Sequence, residues 1–352
     1  MLWSAHERHG GRTQTSPPAR PNRPRIDAAS IVRNPHVCLA LQGGGALGAF
    51  TWGVIDALLA GGAHVEAASG ASAGAVNAAL LASGLAKGGA ESARETLTAF
   101  WSDVSSAGGF PAAALHLFST LSLVPARPSP LLTNPLGLNP LRDLLHRHID
   151  FEAVRQGPID LFISATRVSD GAARVFRKEE ISIEVLLASA CLPQIQDAVE
   201  IDGELYWDGG YSANPPVMEL IEDSVARELL VVELTTPAAD ASPVVGRQIH
   251  DRLNEFALGS SLQREISNLA FLQRVVQEDA EARSHLACRL RRLRLHRISA
   301  HDLAGAERLN PLDVSRAALT SLADLGHEAG GRWMAEQHSN GDGAADDKRR
   351  NS

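Results

Sequence analysis

Ser72 stands in Gly70-Ala71-Ser72-Ala73-Gly74, the Gly-x-Ser-x-Gly spacing of a strand that turns sharply into a helix with serine at the apex. A serine hydroxyl becomes a useful nucleophile only when a neighbouring base takes its proton. The tetrahedral oxyanion that follows needs backbone N–H groups aimed at it in advance. Two other stretches could supply these parts. Gly43-Gly44-Gly45, with Gly48 just beyond, places amides without side chains at the head of a helix, where the helix field also favours negative charge. Asp208, followed by Gly209 and Gly210, is a carboxylate that bare backbone allows to approach closely. The chemistry expected is acyl transfer, with Ser72 as nucleophile, Asp208 as proton acceptor and the glycine loop as oxyanion hole. Glycine at 70 and 74 has a steric reason, since a Cβ at either would meet the adjoining strand or helix.

The elements that must position these residues follow from the hydrophobic pattern. Val37 to Gln42 is a short apolar run that predicts a buried strand, then come the glycines, then a helix over 49–59 that stops at Gly61-Gly62. Val65 to Ser69 predicts a second strand leading into the Ser72 elbow, and Ala75 to Ala82 a buried helix after it. Two successive strand–helix units predict a mostly parallel sheet with helices on both faces, and sites in such sheets gather at the carboxyl ends of the strands. Leu97, Phe100, Trp101 and Val104 share one face of a helix predicted over 91–107. Further expectations are a helix over 141–149, a strand over 159–166, a hairpin strand around Arg174-Val175-Phe176 and a helix from Ile183 to Leu192. A hairpin turning at Asp202-Gly203 delivers Asp208, and a buried strand spans 229–234. A long helical region covers about 245–284, Arg289 to Ile298 reads as a half-exposed strand, and a last helix ends near Gln337.

The pattern divides the chain into a disordered basic, Pro-rich tail over 1–34, a catalytic core over 35–235, a mainly helical extension over 236–337 packed on that core, and a disordered tail over 338–352. Within the core, about 108–140 alternates prolines with Leu, Phe and Ala. It is expected to be an irregular insertion or an apolar flap over the serine.

Together the motifs resemble those of a known family. A glycine-rich loop after the first strand, Gly-x-Ser-x-Gly one unit later and a distant Asp-Gly-Gly are similar to the patatin-like phospholipases. Leu187 to Pro193 and Tyr206 to Pro216 look like signatures of the same family. The resemblance implies a three-layer α/β/α patatin-like fold and a lipid acyl hydrolase with a Ser72–Asp208 dyad and no cofactor or metal. It implies a lipid or other acyl-ester substrate, compatible with peripheral membrane contact. Many members carry Lys or Arg near the end of the glycine loop; this chain has Leu47 there.

Bulk properties bound the alternatives. With 352 residues, 44% of them hydrophobic, the chain can bury a large core, and a net charge of −8 argues against a nucleic-acid partner. The three cysteines, Cys38, Cys191 and Cys288, show no metal or redox spacing and are expected to be buried small hydrophobes. Neither a secretory signal nor a membrane-spanning apolar run is apparent, so a cytoplasmic protein is expected. Three rival readings remain. Gly43-x-Gly45-x-x-Gly48 with Glu66 18 residues on matches a dinucleotide-binding fingerprint. An ordinary α/β-hydrolase triad would draw its base from His285, His296, His301 or His327. A non-catalytic scaffold of the same fold would bind lipid or protein without turnover.

Overall fold

The computed structural model describes residues 34–106, 139–193, 196–234, 246–279, 281–300 and 313–350. The expected N-terminal tail, apart from Asn34, and nearly all of the expected insertion over 108–140 lie outside them. The described residues form an eight-stranded sheet. Its strands are β1 (His36–Leu41), β2 (His64–Gly70), β3 (Asp160–Arg167), β4 (Ala173–Arg177), β5 (Val199–Ile201), β6 (Glu204–Asp208), β7 (Glu228–Glu233) and β8 (Arg294–Ser299). The order is β5-β6-β3-β2-β1-β7-β8, with β4 pairing β3 off that path. From β3 across to β8 every neighbour is parallel, while β4, β5 and β6 add antiparallel pairs at the other end.

The period of two along each central strand divides the apolar residues between two cores. Val37, Leu39 and Leu41 of β1 enter the larger core with Leu161, Ile163, Leu230 and Val232. Cys38 and Ala40 point the other way, joining Phe162, Leu229 and Val231. Such strands read as continuous apolar runs because helices cover both faces. The larger core is closed by α1 (Gly48–Ala60), the helical run α2 (Ala73–Ser106), α3 (Pro140–His148), α4 (Phe151–Gln156), α5 (Ile183–Ser189) and α9 (Arg316–Arg350). The smaller core is closed by α6 (Val217–Asp223), α7 (Gly246–Glu278) and α8 (His285–Arg292). The three-layer arrangement expected from the sequence is the one observed.

Most elements fall where the pattern puts them, and the differences have physical causes. The helix after the elbow and the helix expected over 91–107 are consecutive, joined at a kink where Gly88 and Gly89 leave helical geometry, Gly89 with φ of 73°. Leu97, Phe100, Trp101 and Val104 are all buried. The Asp202-Gly203 turn has both residues at positive φ, 52° and 81°, as a two-residue hairpin requires. Arg289 to Arg292 is the last turn of α8 rather than part of a strand, and the strand begins only at Arg294. Ser284 caps that helix by accepting from the Ala287 amide at 3.1 Å, a local signal the arginine–leucine alternation obscured. The last helix continues to Arg350, past Gln337 and through the stretch expected to be disordered. Cys38 and Cys191 are buried as expected, but Cys288 is exposed on α8. No helix among the described residues is long and apolar enough to cross a membrane.

Candidate active site

The register of β3 explains why residues 136 positions apart in the chain come together. Along one edge of β3 runs β4, pairing Ile163 with Phe176 and Ala165 with Arg174. The opposite edge is shared by two strands. β2 runs parallel to β3 and ends with Gly70 opposite Ile163. β6 runs antiparallel and ends with Asp208 opposite Ala165. The two strands therefore approach each other head-on and stop two β3 residues apart, about 7 Å at the usual strand rise. Ser72 and Asp208 both sit at that meeting point.

The elbow is held tightly. Ser72 has φ of 53°, in the left-handed region that costs a non-glycine residue about 1–3 kcal/mol unless its surroundings impose it. Its surroundings do. The Ser72 amide donates to the Ser189 carbonyl at 3.2 Å and to Ser189 Oγ at 3.0 Å. A Cβ on Gly70 would lie 2.5 Å from the Gly74 carbonyl carbon, and one on Gly74 only 2.0 Å from the Leu41 oxygen. These approaches are why no other residue fits either position.

Asp208 is almost wholly buried, with 1% of its surface exposed. Its amide donates to the Cys191 carbonyl at 2.8 Å, so the last residue of α5 and the residues just after it hold both the serine and the aspartate. Thr166 Oγ1 donates to the Asp208 carbonyl at 2.7 Å and bonds Ser212 Oγ at 2.8 Å. The carboxylate accepts from the Gly210 amide at 2.7 Å. Burial raises the carboxyl pKa to about 7, against the smaller lowering effects of the Gly210 amide and the Ser72 side chain. A group with that pKa can both accept and return a proton near neutrality. Gly209 is packed so closely that a Cβ would lie 2.2 Å from the Ser164 oxygen.

The glycine loop leaves the carboxyl end of β1, next to β2, and abuts the elbow. A Cβ on Gly43 would lie 2.8 Å from Ser72 Cβ. The Gly43 amide, however, donates to Asn214 Oδ1 at 2.7 Å, so this member of the triplet acts as a strut. Gly44 is half-buried and Gly45 exposed, the latter with φ of 58°. Leu47 is buried in the larger core, so its side chain packs rather than facing a substrate. Gly48 opens α1, and its carbonyl accepts from Asn77 Nδ2 at 2.9 Å, while Trp101 Nε1 donates to Asn77 Oδ1 at 3.0 Å. A Cβ on Gly48 would come within 2.8 Å of Ala73 Cβ.

The structure thus brings together Ser72, Asp208, Gly43, Gly44, Gly45, Gly48, Gly70, Gly74, Gly209 and Gly210. It does not bring the rival residues there. Glu66 bonds His36 Nδ1 at 2.9 Å near the start of β2, away from the loop. His296 bonds Glu228 at 2.7 Å, His327 bonds Asp56 at 2.9 Å, and His285 is exposed on α8. His301 lies outside the described residues. Cys191 is adjacent, but burial and the nearby Asp208 push its thiol up to about 12, so it stays protonated. Ser189 and Asn214 fall inside the two signature stretches and Thr166 inside an expected strand, but the sequence assigned none of the three a role. Their signal is a contact with a residue distant in the chain, which spacing does not carry.

No curated protein matches the sequence. Among solved structures, VipD from Legionella pneumophila is similar at 14% identity and a TM-score of 0.41, covering 86% of this chain and 67% of that one. ExoU in its complex with SpcU, from the type III secretion system of Pseudomonas aeruginosa, is similar at 16% identity and a TM-score of 0.38, covering 87% of this chain and 52% of that one. The chain therefore spans about two thirds of the length of the first and about half of the second. The sequence model described as patatin-like phospholipase matches residues 39–221, more than half of the chain, and with them the glycine loop, the elbow and the Asp-Gly-Gly turn. The chain belongs to the patatin-like phospholipase family.

Proposed function

We propose that the chain is a serine lipid acyl hydrolase of phospholipase A or lysophospholipase type that works through a Ser72–Asp208 dyad and an acyl-enzyme. Asp208 accepts the Ser72 proton as Oγ attacks the ester carbonyl carbon. The carbonyl π electrons move to oxygen, and the N–H groups of Gly44 and Gly45 meet the oxyanion. Collapse of the adduct breaks the bond to the alcohol, which leaves with the proton that Asp208 held. Water then repeats the sequence, giving its proton to Asp208 as it attacks the acyl-enzyme; the carboxylic acid departs and Ser72 recovers its hydrogen. The enzyme would meet its substrate at a lipid surface from the aqueous side.

The observation that carries this reading is the end-to-end meeting of β2 and β6 on β3, which sets Ser72 beside the buried carboxylate of Asp208. It places nucleophile and base side by side, with no imidazole between them among the described residues. The test is hydrolysis of a panel of phospholipids, lysophospholipids, acylglycerols and short aryl esters by the protein and two variants. Ser72→Ala is expected to abolish turnover, and Asp208→Asn to lower kcat by at least about 100-fold. Both should keep the wild-type circular dichroism spectrum. Turnover close to wild type in either folded variant would refute the dyad.

A further inference from the structure

Asn214 connects the glycine loop to a helix that lies outside the family-matched segment. Its side-chain Oδ1 accepts from the Gly43 amide at 2.7 Å, and its Nδ2 donates to the Leu258 carbonyl at 2.8 Å. Its own amide donates to Ser261 Oγ at 3.1 Å. Leu258 and Ser261 belong to α7, whereas the family match ends at residue 221. Asn214 is 1% exposed and Ser261 3%, so water does not compete for these bonds.

The same turn of α7 touches the aspartate's turn. A Cβ on Gly210 would lie 2.8 Å from Leu258 Cδ2, 3.0 Å from Asp208 Oδ1 and 3.4 Å from Asn214 Nδ2. Below that turn, α7 is fixed to the sheet by Leu262 and Leu269, both buried in the smaller core. Glu265 also accepts from the Met218 amide of α6 at 3.2 Å. The helix is thus a rigid post, and Asn214 is the group through which it reaches the loop.

We infer that Asn214 is a positioning residue for the oxyanion loop, holding Gly43 against α7 so that the next two amides face the carbonyl oxygen. This rests on the hydrolase reading above for its catalytic consequence, but the hold itself is independent of activity. An amide side chain suits the position because it must accept from one backbone group and donate to another. Alanine does neither, and leaves the Gly43 N–H and the Leu258 oxygen without this partner. A loop released by even 1 Å would misplace the Gly44 and Gly45 donors, and an error of that size costs on the order of 100-fold in rate.

The test compares the full-length protein with Asn214→Ala and Ser261→Ala. Hydrogen–deuterium exchange is read on peptides spanning residues 40–50, and kcat and KM on a soluble aryl ester per fluorophosphonate-titrated site. Asn214→Ala is expected to speed exchange at Gly43 and lower kcat by roughly 10- to 100-fold. KM should stay within about threefold, and the midpoint of the pH profile should remain that of wild type because Asp208 keeps its contacts. Ser261→Ala should shift both readouts in the same direction but less, and it serves as the probe if Asn214→Ala does not fold. Unchanged exchange at Gly43, or unchanged kcat per titrated site, would overturn the inference. If the wild-type protein hydrolyses no ester, that failure falls on the hydrolase reading. The exchange result then decides alone: faster exchange upholds the hold by Asn214, and unchanged exchange overturns it.

Discussion

At the scale of the residue, the proposed mechanism requires Asp208 to carry charge although it is buried. Burial favours the protonated form, so the folded-state pKa, about 7, lies above the ordinary value of 3.8. A base must be ionised to act, so kcat/KM on a soluble ester should rise with pH to a plateau with a midpoint near 7. A midpoint near 4 would show that the carboxylate is solvated in the working enzyme. The same shift has a sign for stability. Because the folded state binds the proton more tightly, the group's contribution is fully present below about pH 4 and is lost as pH rises through about 7. Asp208→Asn should therefore melt at a higher temperature than wild type at pH 8, with the difference shrinking towards pH 5. A variant less stable than wild type at pH 8 would contradict the burial argument. Ser72, Asp208 and their glycines were legible in the sequence because each motif is local. Asn214 stood inside a signature stretch, but its role was not legible, because its partner Gly43 is 171 residues away. The loss of the Gly43 amide as a free donor was hidden for the same reason.

At the scale of the element, glycines decide how closely helices and strands approach. α1, which begins at the end of the glycine loop, packs against α9 through small residues on both. A Cβ on Gly53 would lie 1.9 Å from the Ala323 oxygen, and one on Gly326 would lie 2.0 Å from the Phe50 oxygen. Gly331 on the same helix meets nothing within 4 Å. Gly326→Ala should thus push the helices apart and destabilise the protein by about 1–3 kcal/mol, the usual cost of overpacking. Gly331→Ala should leave stability unchanged or raise it by up to about 1 kcal/mol through helix propensity. Thermal melts of the two variants check this, and equal melting temperatures would show that α9 is not seated on α1. The strand order was only partly readable. Apolar runs and turns marked most strands, but not that β2 and β6 meet end to end on β3. That arrangement is a matter of register, set by tertiary pairing rather than by any one strand's pattern.

At the scale of the whole molecule, the segment that carries the family signature is not a complete sheet. β7, at residues 228–233, lies between β1 and β8, and both it and β8 fall after residue 221. The helices α7, α8 and α9 that help to close the two cores are also beyond it. A fragment ending at residue 221 would expose the edge of β1 and much of both cores, so it should be insoluble or lack a cooperative melt. A monomeric fragment with a sharp transition would show that the C-terminal part is an accessory. The division into core and extension drawn from composition is better replaced, we propose, by one folding unit whose C-terminal third completes the sheet and supports the loop. The central claim is that the Ser72 hydroxyl, activated by Asp208 alone, becomes covalently acylated. Its most direct test is mass spectrometry of the protein quenched during turnover of an aryl ester, with the modified peptide sequenced. One acyl group per chain is expected, on Ser72, lost in Ser72→Ala and accumulating far more slowly in Asp208→Asn. An acyl group on another residue, or turnover with no covalent adduct and full activity in Ser72→Ala, would contradict it.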